Sequence, residues 1–142
     1  MTRDMSFFMQ GKAEVIEEQE HVVSKRYKDE DGKVIPFVFK PLATERIEQI
    51  EKECMKPVMQ KGRKVGERVD NGRFMARIGV ESTVFPDFKD KSLLESYNAV
   101  DPVEVLKKVL SIGGEYTAFM NAVQKVNGMD EDFEDMVEDA KN

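Results

Sequence analysis

Residues 101–142 read DPVEVLKKVLSIGGEYTAFMNAVQKVNGMDEDFEDMVEDAKN, and three short helices can be bounded inside them by chemistry. Asp101 is suited to cap a helix, Pro102 to its first position, and Glu104 to reach back in a capping-box manner. Val103, Leu106, Val109 and Leu110 recur at helical spacing. Gly113 and Gly114 are expected to end that helix as a C-cap. The next helix should place Tyr116, Phe119, Met120, Val123 and Val126 on one face and stop at Asn127-Gly128. The last should carry Phe133, Met136, Val137 and Ala140 at i, i+3, i+4 and i+7. None is long enough to be stable alone, so each must pack on another surface.

Charge is concentrated at the same end. Residues 130–142 hold seven acids and one base, a net of −6, which is also the formal charge of the whole chain. The remainder is balanced. At 142 residues the chain is one domain's worth, 1–142, able to bury a real core. No apolar run could cross a bilayer, and MTRDMSFFMQGK lacks the apolar core and cleavage site of a signal peptide. With Cys54 as the only cysteine, no internal disulfide can form, and a reducing cytoplasm is the expected compartment. The acidic balance disfavours nucleic acid as a partner.

Outward from the C-terminal third, Phe7 and Phe8 form an apolar cluster expected to rest on the body. Val22, Val23 and Tyr27 favour a strand, Lys28 to Lys33 a polar turn through Gly32, and Ile35, Phe37 and Phe39 a second strand. Pro36 and Pro41 confine that second strand to an edge or themselves to its ends. The hairpin is read as a ribbon resting on helices, with recruitment of another chain along its edge as the alternative. Thr44 should cap a helix burying Ile47, Ile50 and Cys54, with Pro57 stopping it. Lys56 to Asp70 has five basic residues and two glycines without helical or strand period, and is expected to be a flexible loop over 56–70. A helix resumes near Asp70 with Phe74, Met75 and Ile78 inward, and with Gly79 and Ser82 allowing close approach. Val84 to Phe88 reads as an aromatic linker, and Asp90 as the cap of a turn bearing Leu93, Leu94 and Tyr97. The fold class expected is α+β, mainly α, with an N-terminal β-hairpin packed against a small helical bundle.

Catalytic constellations are missing. His21 and Cys54 would have to touch to form a dyad, but Cys54 lies on an apolar helix face and reads as an inert buried thiol. Two candidate ligands do not make a zinc site. Asp130-Glu131-Asp132 lacks the central glycine of a calcium loop. KGRKVGER does not match a phosphate-binding loop, and reads as solvated with a weak polyanion contact as the alternative. No catalytic, cofactor-binding or metal-binding residue is expected, and no cofactor.

Four stretches together resemble the XkdN-like tail assembly chaperones of PBSX-type phages and prophages. They are VVSKRYKDEDGKVIPFVFKPL, ATERIEQIEKEC, ARIGVESTVFPDFKDKSLLESYN and the C-terminal VLKKVLSIGGEYTAFMNAVQKVNGMDEDFEDMVEDAKN. There are departures: Ser111-Ile112-Gly113-Gly114 stands where the family often has Leu-Pro-Gly before Glu-Tyr, and Phe37 where it often has Trp. The resemblance implies a non-enzymatic assembly chaperone in the host bacterial cytoplasm. It would bind and solubilise the tape-measure protein during tail-tube assembly, with the tail-tube protein as a second partner, and be absent from the mature virion. The alternative is a structural tail protein retained in the virion. Neither nucleic acid nor membrane is implied, and self-association is left open. Met- and Phe-rich amphipathic helices can cover another helix's apolar stripe, and the acidic end keeps such a complex soluble. Phe133, Met136 and Val137 are the expected partner-binding face, with core packing as the competing fate. The family also raises a longer frameshifted product, since Ala140-Lys141-Asn142 can be encoded by a slippery A-AAA-AAC or A-AAA-AAT run.

Overall fold

A computed structural model describes residues 3–129. The helix expected over Phe133, Met136, Val137 and Ala140 lies outside them. A short 3-10 turn (Met5–Phe8) is followed by strands β1 (Gln19–His21) and β2 (Phe37–Phe39), helix α1 (Thr44–Glu53), strands β3 (Met55–Gln60) and β4 (Arg63–Val69), helix α2 (Asn71–Ser82), strand β5 (Thr83–Phe85), and helices α3 (Lys91–Ser96), α4 (Pro102–Val109) and α5 (Gly113–Val126). The class is α+β, mainly α, as the residue pattern predicts.

Three strands form an antiparallel sheet in the order β1-β2-β5. Alternation along β2 sends Phe37 and Phe39 into the core. There they meet Phe88 and Phe119, whose rings stand edge to face at 6.3 Å, with Phe39 5.7 Å from Phe119. These tilted aromatic geometries add to the burial of large rings. Phe119 comes from α5 and presses on α2 at Gly79. A Cβ built there would lie 2.6 Å from the Phe119 ring, so the absent side chain sets the approach of the two helices. The same junction is tied by Asn127, which donates to Ser82 Oγ (3.0 Å) and accepts from the Leu42 amide (2.9 Å). The α5 face and its stop at Asn127-Gly128 are as the sequence predicts; Gly128 has φ 70°.

Several expectations are corrected. Val22 to Tyr27 is not a strand; ladder pairing with β2 is made by Gln19–His21, the two arms meet again only at an isolated bridge between Lys28 and Val34 with the Ile35 amide donating to the Tyr27 carbonyl (2.9 Å), and the residues between are held by polar contacts described below. β2 is the central strand, not an edge, because β5 covers its other side. Pro36 and Pro41 therefore flank it, where their missing N–H groups cost no ladder bond, and edge recruitment along β2 is excluded. Thr83–Phe85, which overlaps the stretch read as linker at Val84 and Phe85, supplies that third strand. Phe7 and Phe8 do not rest on the body and are 73% and 85% exposed. α1 is capped by Ala43 without a side-chain bond and ends at Cys54, ahead of Pro57, which sits within β3. Glu104 pairs with Lys108 at 3.0 Å. Gly113 and Gly114 open α5 instead of closing α4, which stops at Leu110. The reason is Glu115, whose carboxylate accepts from the Ile112 amide at 3.3 Å and fixes the helix start there.

The stretch 56–70, expected as a loop, is a β-hairpin. Lys61 (φ 49°) and Gly62 (φ 77°) make its two-residue turn. Positive φ at both central positions is the type I′ geometry that matches strand twist.

Candidate functional site

Two surfaces are left open by this packing. The first is an apolar pocket of about 180 Å³ where the β5 end of the sheet meets α3 and α4. Its floor is the buried pair Phe37 and Val109. Tyr27, Leu93 and Tyr97 form the walls, and Ile35, Pro86 and the half-exposed Phe85 form the rim. The volume is below the roughly 300–1,000 Å³ of small-molecule sites and is enough for one or two apolar side chains.

The loop after β1 holds the wall in place. Ser24 Oγ donates to Glu115 Oε2, and Arg26 donates to both Glu115 oxygens at 2.5 and 2.8 Å. The Arg26 guanidinium first, and the Ser24 hydroxyl second, hold the Glu115 carboxyl down to about 2. Tyr27 Oη, one residue on, donates to the Val109 carbonyl at 2.5 Å. Burial pushes the Tyr27 phenol up to about 12, with neighbouring Tyr97 adding to the shift. It therefore stays neutral, and its ring presents an apolar wall. On the far side, Asp90 accepts from the Leu93 amide (3.0 Å) and so starts the helix that supplies Leu93.

The second surface is the β3–β4 hairpin, a ribbon whose side chains are mostly exposed. Met59 and Val65 stand 55% and 56% open, beside the cations of the turn.

Cys54 is buried. His21 is half-buried in β1 against Phe39. Among the described residues, no group of three His, Cys, Asp or Glu side chains could hold a metal ion. Every buried side-chain nitrogen or oxygen there has a hydrogen-bond partner. No described helix is long and apolar enough to cross a membrane. Phe133, Met136 and Val137, the face predicted for partner binding, lie outside the described residues. The pocket was not legible in the sequence: its lining comes from β2, β5, α3, α4 and the loops beside them, and its one local signal was Phe85 in the stretch Val84 to Phe88.

Comparison with known proteins gives a consistent result. The family model for phage XkdN-like tail assembly chaperone proteins matches residues 5–141. The chain is 50% identical over 139 residues to the phage-like element PBSX protein XkdN of Bacillus subtilis strain 168, covering 98% of this chain and 94% of that protein. It is likewise 50% identical over 139 residues to YqbN of the same strain, an uncharacterised protein, covering 98% and 93%. A crystal structure of YqbN superposes with a TM-score of 0.76 at 45% identity, covering 90% of this chain and 98% of that one.

Proposed function

The chain belongs to the phage XkdN-like tail assembly chaperone family, and from that premise we propose that it binds the tape-measure protein and keeps it soluble while the tail tube polymerises around it. The observation that carries this reading is the pocket rimmed by Phe85. Apolar surface rimmed by polar groups marks interaction sites when it stays open in a folded domain. The pocket takes side chains of the size that recur along one face of an amphipathic helix, and docking such a helix into an apolar groove is a common recognition mode. Asp87 and Asp90, beside Phe85, Pro86 and Leu93, supply a charged rim.

Phe133, Met136 and Val137 add a second contact to the same partner. The role is non-enzymatic and is carried out in the host cytoplasm, with the tail-tube protein meeting the complex as it assembles and the chaperone leaving before the particle is complete. Co-expression with the cognate tape-measure protein tests this. The tape-measure protein should be recovered in the soluble fraction with this chain bound, and should aggregate without it. Mass spectrometry of purified particles should not detect this chain; its presence at stoichiometric level would favour a structural tail protein.

A further inference from the structure

The β3–β4 ribbon carries five cations, Lys56, Lys61, Arg63, Lys64 and Arg68, against one anion, Glu67. Only Lys64 has an anionic partner among the described residues, Glu67 at 2.8 Å. The strand register places Lys56 directly opposite Arg68, and Arg63 opposite Gln60 on the same face. Like charges directly opposite each other destabilise a strand pair. Between them Val58 faces Gly66, and a Cβ built on Gly66 would meet nothing within 4 Å. That face is thus a shallow strip with an apolar centre and cations at both ends. A two-stranded ribbon is at best marginally stable alone in water. Both its weaknesses, the repulsion and the lack of a third layer, would be relieved by an anionic segment laid along it.

The chain itself contains such a segment: residues 130–142 hold seven acids and one base. We propose that the ribbon of one copy takes the acidic 130–142 segment of a second copy. Charge complementarity selects the occupant, and the layout of the fold selects a neighbour's segment over the chain's own. The described chain leaves the body beside Asn127, which is bonded to Ser82 at the C-terminal end of α2. The ribbon's base, where the Asp70 amide donates to the Cys54 carbonyl at 2.8 Å, is at the opposite end of α2. α2 is roughly 18 Å long for its twelve residues. The six residues of β3 give the ribbon roughly 20 Å of length. Thirteen residues reach at most about 43–47 Å when fully extended. A chain's own segment would have to spend part of that reach crossing the length of α2 before it met the ribbon's base, whereas a neighbour's is under no such constraint. The contact joins two different surfaces, so it either closes into a ring or continues head to tail. It uses the carboxylates and leaves Phe133, Met136 and Val137 for the tape-measure contact.

Light scattering on the full chain tests this. At low ionic strength the mass should be at least twice that of a monomer. At about 1 M salt, where charges are screened beyond about 3 Å, it should fall to the monomer. Two variants make the test specific: Arg63→Glu with Arg68→Glu in the ribbon, and Asp130→Asn, Asp132→Asn and Asp135→Asn in the segment. Circular dichroism should show both folded, and each alone should be monomeric at low salt. Mixed, they should associate, because one contributes an intact segment and the other an intact ribbon. Phe133→Ala should leave self-association unchanged. A wild-type chain monomeric at every ionic strength, or variants that fail to associate on mixing, would overturn the proposal. So would a monomer whose ribbon gains trypsin protection at low salt, which would assign the contact to the chain's own segment.

Discussion

The α2–α5 contact and the β3–β4 ribbon lie on either side of Asp70 and obey opposite rules. In the first, Gly79 and Phe119 meet with no room for a methyl group, and density like that of a crystal makes every atom count. In the second, nothing stands within 4 Å of a Cβ at Gly66, cations outnumber anions, and hydrogen bonds between two strands are the main support. One region is specified by what is inside the molecule. The other is held by its own strand pairing, with both faces open to solvent.

The contrast is tested most strongly at its packed end. Phe119→Ala removes the ring shared by Phe37, Phe39 and Phe88 and should cost about 3–5 kcal/mol in urea unfolding. A loss under 1 kcal/mol would show that the aromatic cluster is not the keystone of the core. Gly79→Ala should cost about 1–3 kcal/mol, because the added methyl must displace the Phe119 ring. Here a gain in stability, as expected for alanine on an open helix face, would mean that α2 and α5 are not in contact as described. Asp101→Ala comes next. It loses the cap on the Val103 amide (2.9 Å) and the Arg73 ion pair (2.6 Å), and should cost about 0.5–2 kcal/mol.

Acid should loosen the pocket wall more gently. The Glu115 carboxyl titrates near about 2 when folded, below the about 4.3 of an unperturbed glutamate. A depressed folded pKa means its stabilisation is complete above the unfolded value and is lost as pH falls from about 4.3 toward 2. Arg26 is half-exposed, so solvent screens the pair and the change is modest. Glu115→Gln should flatten that acid limb; an unchanged limb would assign it to other carboxylates. The smallest effect belongs to the ribbon, where Met59→Ser or Val65→Ser should move stability by no more than about 0.5 kcal/mol.

The two regions also differ in how far the sequence discloses them. Phe119, Val123 and Val126 announce their buried face through helical spacing, and Asp70, Asp90 and Asp101 announce helix starts by capping chemistry that is local. Gly79 was legible as a point of close approach because an unbranched position in an amphipathic helix has few other uses. The ribbon was not legible. Its turn is Lys61-Gly62 instead of the usual Asn-Gly or Asp-Gly, a bulge at Val58/Met59 breaks the alternation, and neither face is buried, so no period of two is required. Gly113 and Gly114 misled for a related reason. Glycine is permissive at either end of a helix, and the choice was made by Glu115 reaching back to Ile112 and by Arg26, 89 positions away in sequence. The pocket is non-local throughout, joining Tyr27 and Ile35 to Phe85 and Val109.

Under the proposed function, Phe85 and its pocket face the tape-measure protein. Phe85 is 54% exposed, so Phe85→Ser should leave the melting temperature nearly unchanged. The direct measurement is the amount of cognate tape-measure protein that co-purifies with wild-type and Phe85→Ser chains, scored against thermal unfolding of the same samples. At least a tenfold loss of co-purified tape-measure protein is expected, with melting within a few degrees of wild type, since tenfold corresponds to about 1.4 kcal/mol of lost contact. Undiminished co-purification by a stably folded Phe85→Ser chain would contradict it.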